Sequence, residues 1–183
     1  MPQLTYNIVP PVAANEGQIA SQMEGTIIVP YVAEGVVPLG LLAAPGTRAM
    51  TGPPLTTLSV YSTSPGQVKA LPAGLVADPM VDTAWVGIPI YDATREPYDT
   101  TLGYSAYAAY STVPVLRRGP VWVKPEGSVS PSVAVYVRTA ASGGNTILGK
   151  FAGAAGTGLV AFPKARWLTG LIQSEWAQLY FEF

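Results

Sequence analysis

Apolar residues in this chain come in short runs, each cut off by a glycine or a proline. The runs are rich in Val, Ile and Tyr, the residues that fit a pleated surface. In Val133-Ala134-Val135-Tyr136-Val137-Arg138 the valines recur every second position, which places them on one face of a strand. Gln178-Leu179-Tyr180-Phe181-Glu182-Phe183 alternates the same way, with Leu179, Phe181 and Phe183 together on one side. Val121-Trp122-Val123-Lys124 runs into Pro125-Glu126-Gly127, a β-rich run ending in turn chemistry. The pattern predicts strands at Thr26–Val32, Gly40–Ala44, Leu55–Tyr61, Gln67–Leu71, Ala84–Tyr91, Val113–Leu116, Pro120–Lys124, Ala134–Thr139, Leu148–Ala152, Gly158–Phe162 and Ala177–Phe183. Recurrent prolines exclude long helices across most of the chain, because each interior proline removes a donor and clashes with the preceding turn. The expected fold is all-β: a sandwich or barrel-like domain with long Pro/Gly-rich loops and little helix, not an α/β fold.

Residues 45–83 carry Pro45-Gly46, Gly52-Pro53-Pro54, Ser64-Pro65-Gly66 and Ala77-Asp78-Pro79, and read as loops and short edge strands. Between Thr94 and Thr112 lie Tyr98, Tyr104, Tyr107 and Tyr110. The spacing of the last three fits either a short helix with an aromatic stripe or an irregular loop. The longest apolar-leaning run, Val36 to Ala44, is broken by Pro38 and Gly40 and falls well short of the roughly 18 residues a membrane span needs. Met1-Pro2-Gln3 is not a basic segment leading into an apolar one, so no Sec-type signal peptide is expected.

Composition narrows the chemistry. At 183 residues and 19.1 kDa the chain suits one domain spanning 1–183. It contains no His and no Cys, which removes disulfides, thiol nucleophiles, Cys/His zinc sites, His- or Cys-ligated haem and the Ser-His-Asp triad. A net charge of −1 supplies no steering field for nucleic acid. Charged residues are only 11% of the chain, against about 25% in an ordinary globular protein. Spread over the roughly 8,000 Å² expected for a folded chain of this mass, the 21 charges leave about one per 400 Å². So sparse a cover, combined with 10 tyrosines, points to surface that is hidden in the working state.

Gly144-Asn145-Thr146-Ile147-Leu148-Gly149-Lys150 matches the G-x-x-x-x-G-K phosphate loop in spacing. The next residue is Phe151 rather than the Ser or Thr that holds magnesium, and the glycines that follow make a poor helix, so a Gly-rich hairpin is the better reading. The carboxylates Asp92, Glu96 and Asp99, and the pair Asp78 and Asp82, lie among turn residues and read as solvated loop charges. No catalytic residue, cofactor or metal site is expected. Tyr and Arg are the usual anchors of protein–protein contacts. Tyr98, Tyr104, Tyr107, Tyr110, Arg117 and Arg118 are therefore the candidate interface residues, with Tyr6 near the N-terminus and Trp167 near the C-terminus. Trp85, Trp122, Trp167 and Trp176 are also expected to supply two or three core residues.

The order of segments is informative as well. A Tyr6-Asn7 arm and Gly17-Gln18-Ile19-Ala20-Ser21 precede Ala33-Glu34-Gly35-Val36-Val37-Pro38-Leu39-Gly40. After a variable middle come Leu116-Arg117-Arg118-Gly119-Pro120-Val121-Trp122-Val123, Ala134-Val135-Tyr136-Val137 and Gly149-Lys150-Phe151. This order resembles the structural cement (capsid decoration) proteins of tailed bacteriophages, over roughly residues 5–45 and 113–162. The stretch at about 50–110 is longer and richer in Pro and Tyr than that pattern, like an elaborated insertion, and Lys164–Phe183 is additional. The resemblance implies a non-enzymatic β-rich protein, made in the bacterial host and carried on the outer surface of the mature capsid. Its implied partners are the major capsid protein and further copies of itself, as a homotrimer first and a dimer second, with no nucleic acid or membrane partner. Its extended N-terminal arm, with Pro2, Pro10 and Pro11, would lie across a neighbour. The alternatives are a non-catalytic carbohydrate-binding module or a head–tail connector of a phage particle.

Overall fold

A computed structural model describes residues 17–20, 25–46, 67–70, 85–92, 98–99, 105–172 and 175–182. Their strands, in chain order, are β1 (Ile27–Ala33), β2 (Val37–Pro38), β3 (Ala43–Pro45), β4 (Gln67–Ala70), β5 (Ile88–Pro89), β6 (Tyr98–Asp99), β7 (Ser105–Tyr107), β8 (Thr112–Val123), β9 (Tyr136–Arg138), β10 (Phe151–Ala152), β11 (Leu159–Ala161), β12 (Ala165–Trp167) and β13 (Ala177–Glu182). No helix occurs among the described residues, and the protein is mainly β, with a curled, half-barrel sheet.

The spine is β8, 12 residues long. The sheet built on it runs β12-β13-β8-β1-β4-β3, with β5 also on β8. Two smaller sheets run β10-β9-β11 and β2-β7-β6. Along one edge β8 is antiparallel to β1, from Val32↔Thr112 to Ile27↔Arg118. On that same edge Ile19 bridges Val121, so residues 17–20 extend the ladder that β1 begins. Along the other edge lie β5, opposite Val115 and Leu116, and β13, opposite residues 118–123.

A β-bulge interrupts the ladder: Ile27 opposes Arg118 while Ile28 opposes Leu116, leaving Arg117 as the extra residue. The Arg-Arg-Gly step that separates two expected strands, Val113–Leu116 and Pro120–Lys124, is thus a bulge within a single strand. A bulge bends the strand and strengthens its twist, which suits a curled sheet.

Proline within a central strand removes a ladder donor. Pro114 accepts the Ile90 N–H at 3.0 Å and cannot return the bond. The buried Tyr107 hydroxyl takes that place, donating to the Ile90 carbonyl at 2.8 Å. At Gly87 (φ +147°) a Cβ would lie 2.3 Å from the Leu116 carbonyl oxygen, so only glycine lets β5 approach β8 this closely.

Because Val115 and Leu116 are consecutive, β8 feeds a core on each of its faces. One holds Leu116, Val121, Val123, Leu179, Phe181, Trp167, Val137, Phe151 and Phe162. Phe162 stacks on Phe181 at 5.9 Å and meets Trp85 edge-on at 5.8 Å. The other holds Val113 and Val115 with Ala33, Val37, Leu39, Val68 and Tyr107.

The observed elements revise several expectations. Strand β9 is shorter than Ala134–Thr139, and Val133 stands exposed beside a turn while Val135 and Val137 are buried. Tyr107 lies in a strand, neither helix nor loop. The expected strand Leu55–Tyr61 lies outside the described residues. Gly143 and Gly144, at φ +59° and +83°, form the turn of a tight hairpin closed by paired bonds between Ser142 and Asn145. Strand β10 begins at Phe151, so no helix N-terminus faces that loop and the phosphate-loop spacing is fortuitous.

Candidate functional site: a tyrosine and arginine face

The bulge has a consequence for side chains. Consecutive strand residues normally point to opposite faces, but an extra residue shifts that alternation by one, so Arg117 and Arg118 emerge on the same face. The Arg117 guanidinium donates to the Tyr31 hydroxyl at 3.0 Å. The Arg118 Nε donates to the Tyr180 hydroxyl at 3.1 Å, and its Nη2 lies 3.4 Å from the Glu182 carboxylate. The Tyr180 hydroxyl, and after it the Glu182 carboxylate, raise the Arg118 pKa above its ordinary value, so Arg118 is charged at any ordinary pH.

Strand β13 supplies the other half by alternation. Its Ala177, Leu179 and Phe181 are buried, which turns Gln178, Tyr180 and Glu182 to the opposite face. Opposite Tyr180 in the ladder stands Arg166 of β12. Its guanidinium carbon sits 4.9 Å from the Tyr180 ring centre, a cation–π contact. Pro163, Lys164, Ala165, Arg166, Tyr180 and Glu182 line a groove of about 510 Å³. Ile27, paired with Arg118, adds an apolar side chain that is 48% exposed. Arg118, Lys164 and Arg166, three of the ten cations of the chain, thus gather around Tyr180 and Glu182, while Arg117 reaches toward Tyr31 of β1.

Elsewhere, Arg138 is fully engaged in the interior. Its Nε and Nη2 donate to both Glu126 carboxylate oxygens at 2.7 and 2.6 Å, and its Nη1 to the carbonyls of Ala140 and Thr157. This bidentate pair ties β9 to the loop after β8, and the Glu126 hydrogen bond raises the Arg138 pKa. It is a structural clamp. Among the described residues no group of three or more Asp or Glu is placed to hold a metal ion. No described helix is long and apolar enough to cross a membrane.

The sequence candidates divide. Arg117 and Arg118 belong to the face just described. Tyr110 is 69% exposed at the turn before β8, with a left-handed backbone (φ +65°). Trp167 and Tyr107 are corrections: at 2% and 4% exposure they are core residues with almost no surface to offer a partner. Trp167 alternates inward on β12, and Tyr107 is held by the Ile90 carbonyl. Of Tyr98 only the backbone is described, in β6, and Tyr6 and Tyr104 lie outside the described residues. Tyr31, Tyr180 and Arg166 were missed. For Tyr180 the signal was present, since an inward Leu179 and Phe181 put it outward.

Fold and face together describe a β-rich protein with Arg–Tyr pairs on one face of its main sheet. Over residues 2–181 the chain matches the family described as structural cement protein (E217 gp24/Pam3 gp6). The protein belongs to that family, and its place is the virion capsid. Four solved chains match its fold. One, from "The capsid of Myoviridae Phage XM1", superposes with a TM-score of 0.60 at 14% identity, covering 98% of each chain. No curated protein sequence matches.

Proposed function

We propose that this protein binds the outer surface of the mature phage capsid and cements neighbouring major capsid protein subunits, stabilising the shell against the pressure of packaged DNA. The observation that carries this reading is the family match across residues 2–181. The physical character of the chain supports it. A protein with affinity for the assembled lattice and none for dissociated subunits stabilises the lattice by mass action. Many copies, each touching several subunits, add avidity. Few charges mean little desolvation cost when surface is covered, and tyrosine and apolar side chains supply the contact. Closed symmetry of the shell favours a symmetric oligomer, a homotrimer on local threefold axes before a dimer on twofold axes.

Stoichiometry and position test the proposal. Purified particles should carry the protein in hundreds of copies, and a density map of intact particles should place it outside the shell at junctions between capsid subunits. A dozen copies or fewer, at a tail vertex, would make it a connector and overturn the cement role.

A further inference from the structure

We infer that the groove lined by Lys164, Arg166, Tyr180 and Glu182, continued by Arg118, is the seat of a carboxylate-bearing extended segment of the neighbouring shell subunit. The inference rests on the capsid-binding reading above and names the face and the chemistry through which binding occurs.

Three observations lead to it. The first is the distribution of charge. A chain of net charge −1 with only 10 Lys and Arg places three of them here, Arg118, Lys164 and Arg166. In a protein that otherwise avoids charge, this concentration calls for a negative complement. The second is preorganisation. Arg166 lies against the Tyr180 ring, and Tyr180 is itself fixed by its hydroxyl bond to Arg118. Arg166 makes no hydrogen bond or ion pair among the described residues, and a guanidinium can receive a carboxylate through two parallel bonds. The third is the setting. Strand β12 has a strand neighbour on one side only among the described residues, and the groove follows it. An extended segment can lie in this groove, over β12 and β13, with the Tyr180 ring giving apolar contact beside the charges.

Glu182 selects between anions. A phosphate polymer would run its regular charges past this carboxylate, which stands in the middle of the face beside Arg118. A peptide can place its carboxylates at Arg166 and Lys164 and an uncharged residue at Glu182. The arrangement therefore fits an acidic peptide and disfavours nucleic acid.

The test uses the full-length protein and DNA-filled particles prepared without it. Co-sedimentation should give saturable binding that weakens with salt, and Arg166→Glu should lower the affinity at least tenfold while its thermal unfolding matches that of the unaltered protein. A carbodiimide, which joins carboxylates to amines at zero length, should link Lys164 to an Asp or Glu of the shell protein. Wild-type binding by both Arg166→Glu and Arg118→Glu, or links from the shell's carboxylates only to other lysines, would overturn the inference and leave capsid binding intact. Links absent from Lys164 together with tight, salt-sensitive retention on double-stranded DNA would overturn it in favour of a phosphate polymer. Failure of the unaltered protein to bind particles at all would sink the capsid reading itself.

Discussion

At the scale of single residues, the most demanding feature is the Arg138–Glu126 pair. Arg138 is 3% exposed, and its guanidinium is satisfied by one carboxylate and two carbonyls. Removing one partner leaves a buried charge uncompensated, so Glu126→Ala should cost about 3–5 kcal/mol in urea unfolding. Replacing both partners with apolar residues of similar size should cost much less. The raised Arg138 pKa keeps the guanidinium charged, so its share of this stabilisation is held at ordinary pH and declines as pH climbs through the folded value. Phe181, stacked on Phe162 in the core, gives a comparison without charge: Phe181→Ala should cost about 3–5 kcal/mol. By contrast the exposed Lys124–Glu175 pair, at 3.3 Å, should contribute under about 1 kcal/mol. None of this was visible in the sequence, where Arg138 and Glu126 are two charges 12 positions apart on different runs. Pairing of that kind is decided by the tertiary path of the chain.

Among elements, β8 shows how local signals and tertiary pairing divide the work. Its valines marked it as strand, and Gly119 with the arginines marked an irregularity. Whether that irregularity was a turn or a bulge depended on β1, which lies far away in sequence and bridges across it. The short strands β2, β6, β7 and β12 were not foreseen for the same reason: two or three residues carry no period, and only partners define them. The face fared likewise, since Arg117 and Arg118 were recognisable as a pair while the bulge that aims them together was not. The Pro114–Tyr107 relation offers a test at this scale. Tyr107→Phe orphans the Ile90 carbonyl and should destabilise by about 1–3 kcal/mol. In a Pro114→Ala background the restored backbone N–H can reach that carbonyl, so the same change should cost clearly less. Equal costs in both backgrounds, measured as a double-mutant cycle, would show that the hydroxyl does not substitute for the missing donor.

For the whole molecule, the scarcity of ionised side chains is the property that sequence alone made plain, because composition needs no fold. The structure adds where the cations are: a large share lies on the sheet face formed by β8, β13 and β12. Among the described residues Ile27, Ile28, Val36, Tyr110 and Val133 are the exposed large apolar side chains. A shell-bound protein of this kind acts through free energy of binding, so its effect must scale with occupancy and be reversible by removal. The most direct measurement is therefore the temperature at which particles release DNA, followed with a DNA-binding dye, for complete virions, for virions made without the protein, and for the latter after the purified protein is added back. Release should come at a lower temperature without the protein, with saturable recovery on adding it. Identical release temperatures in all three preparations would contradict the cement role.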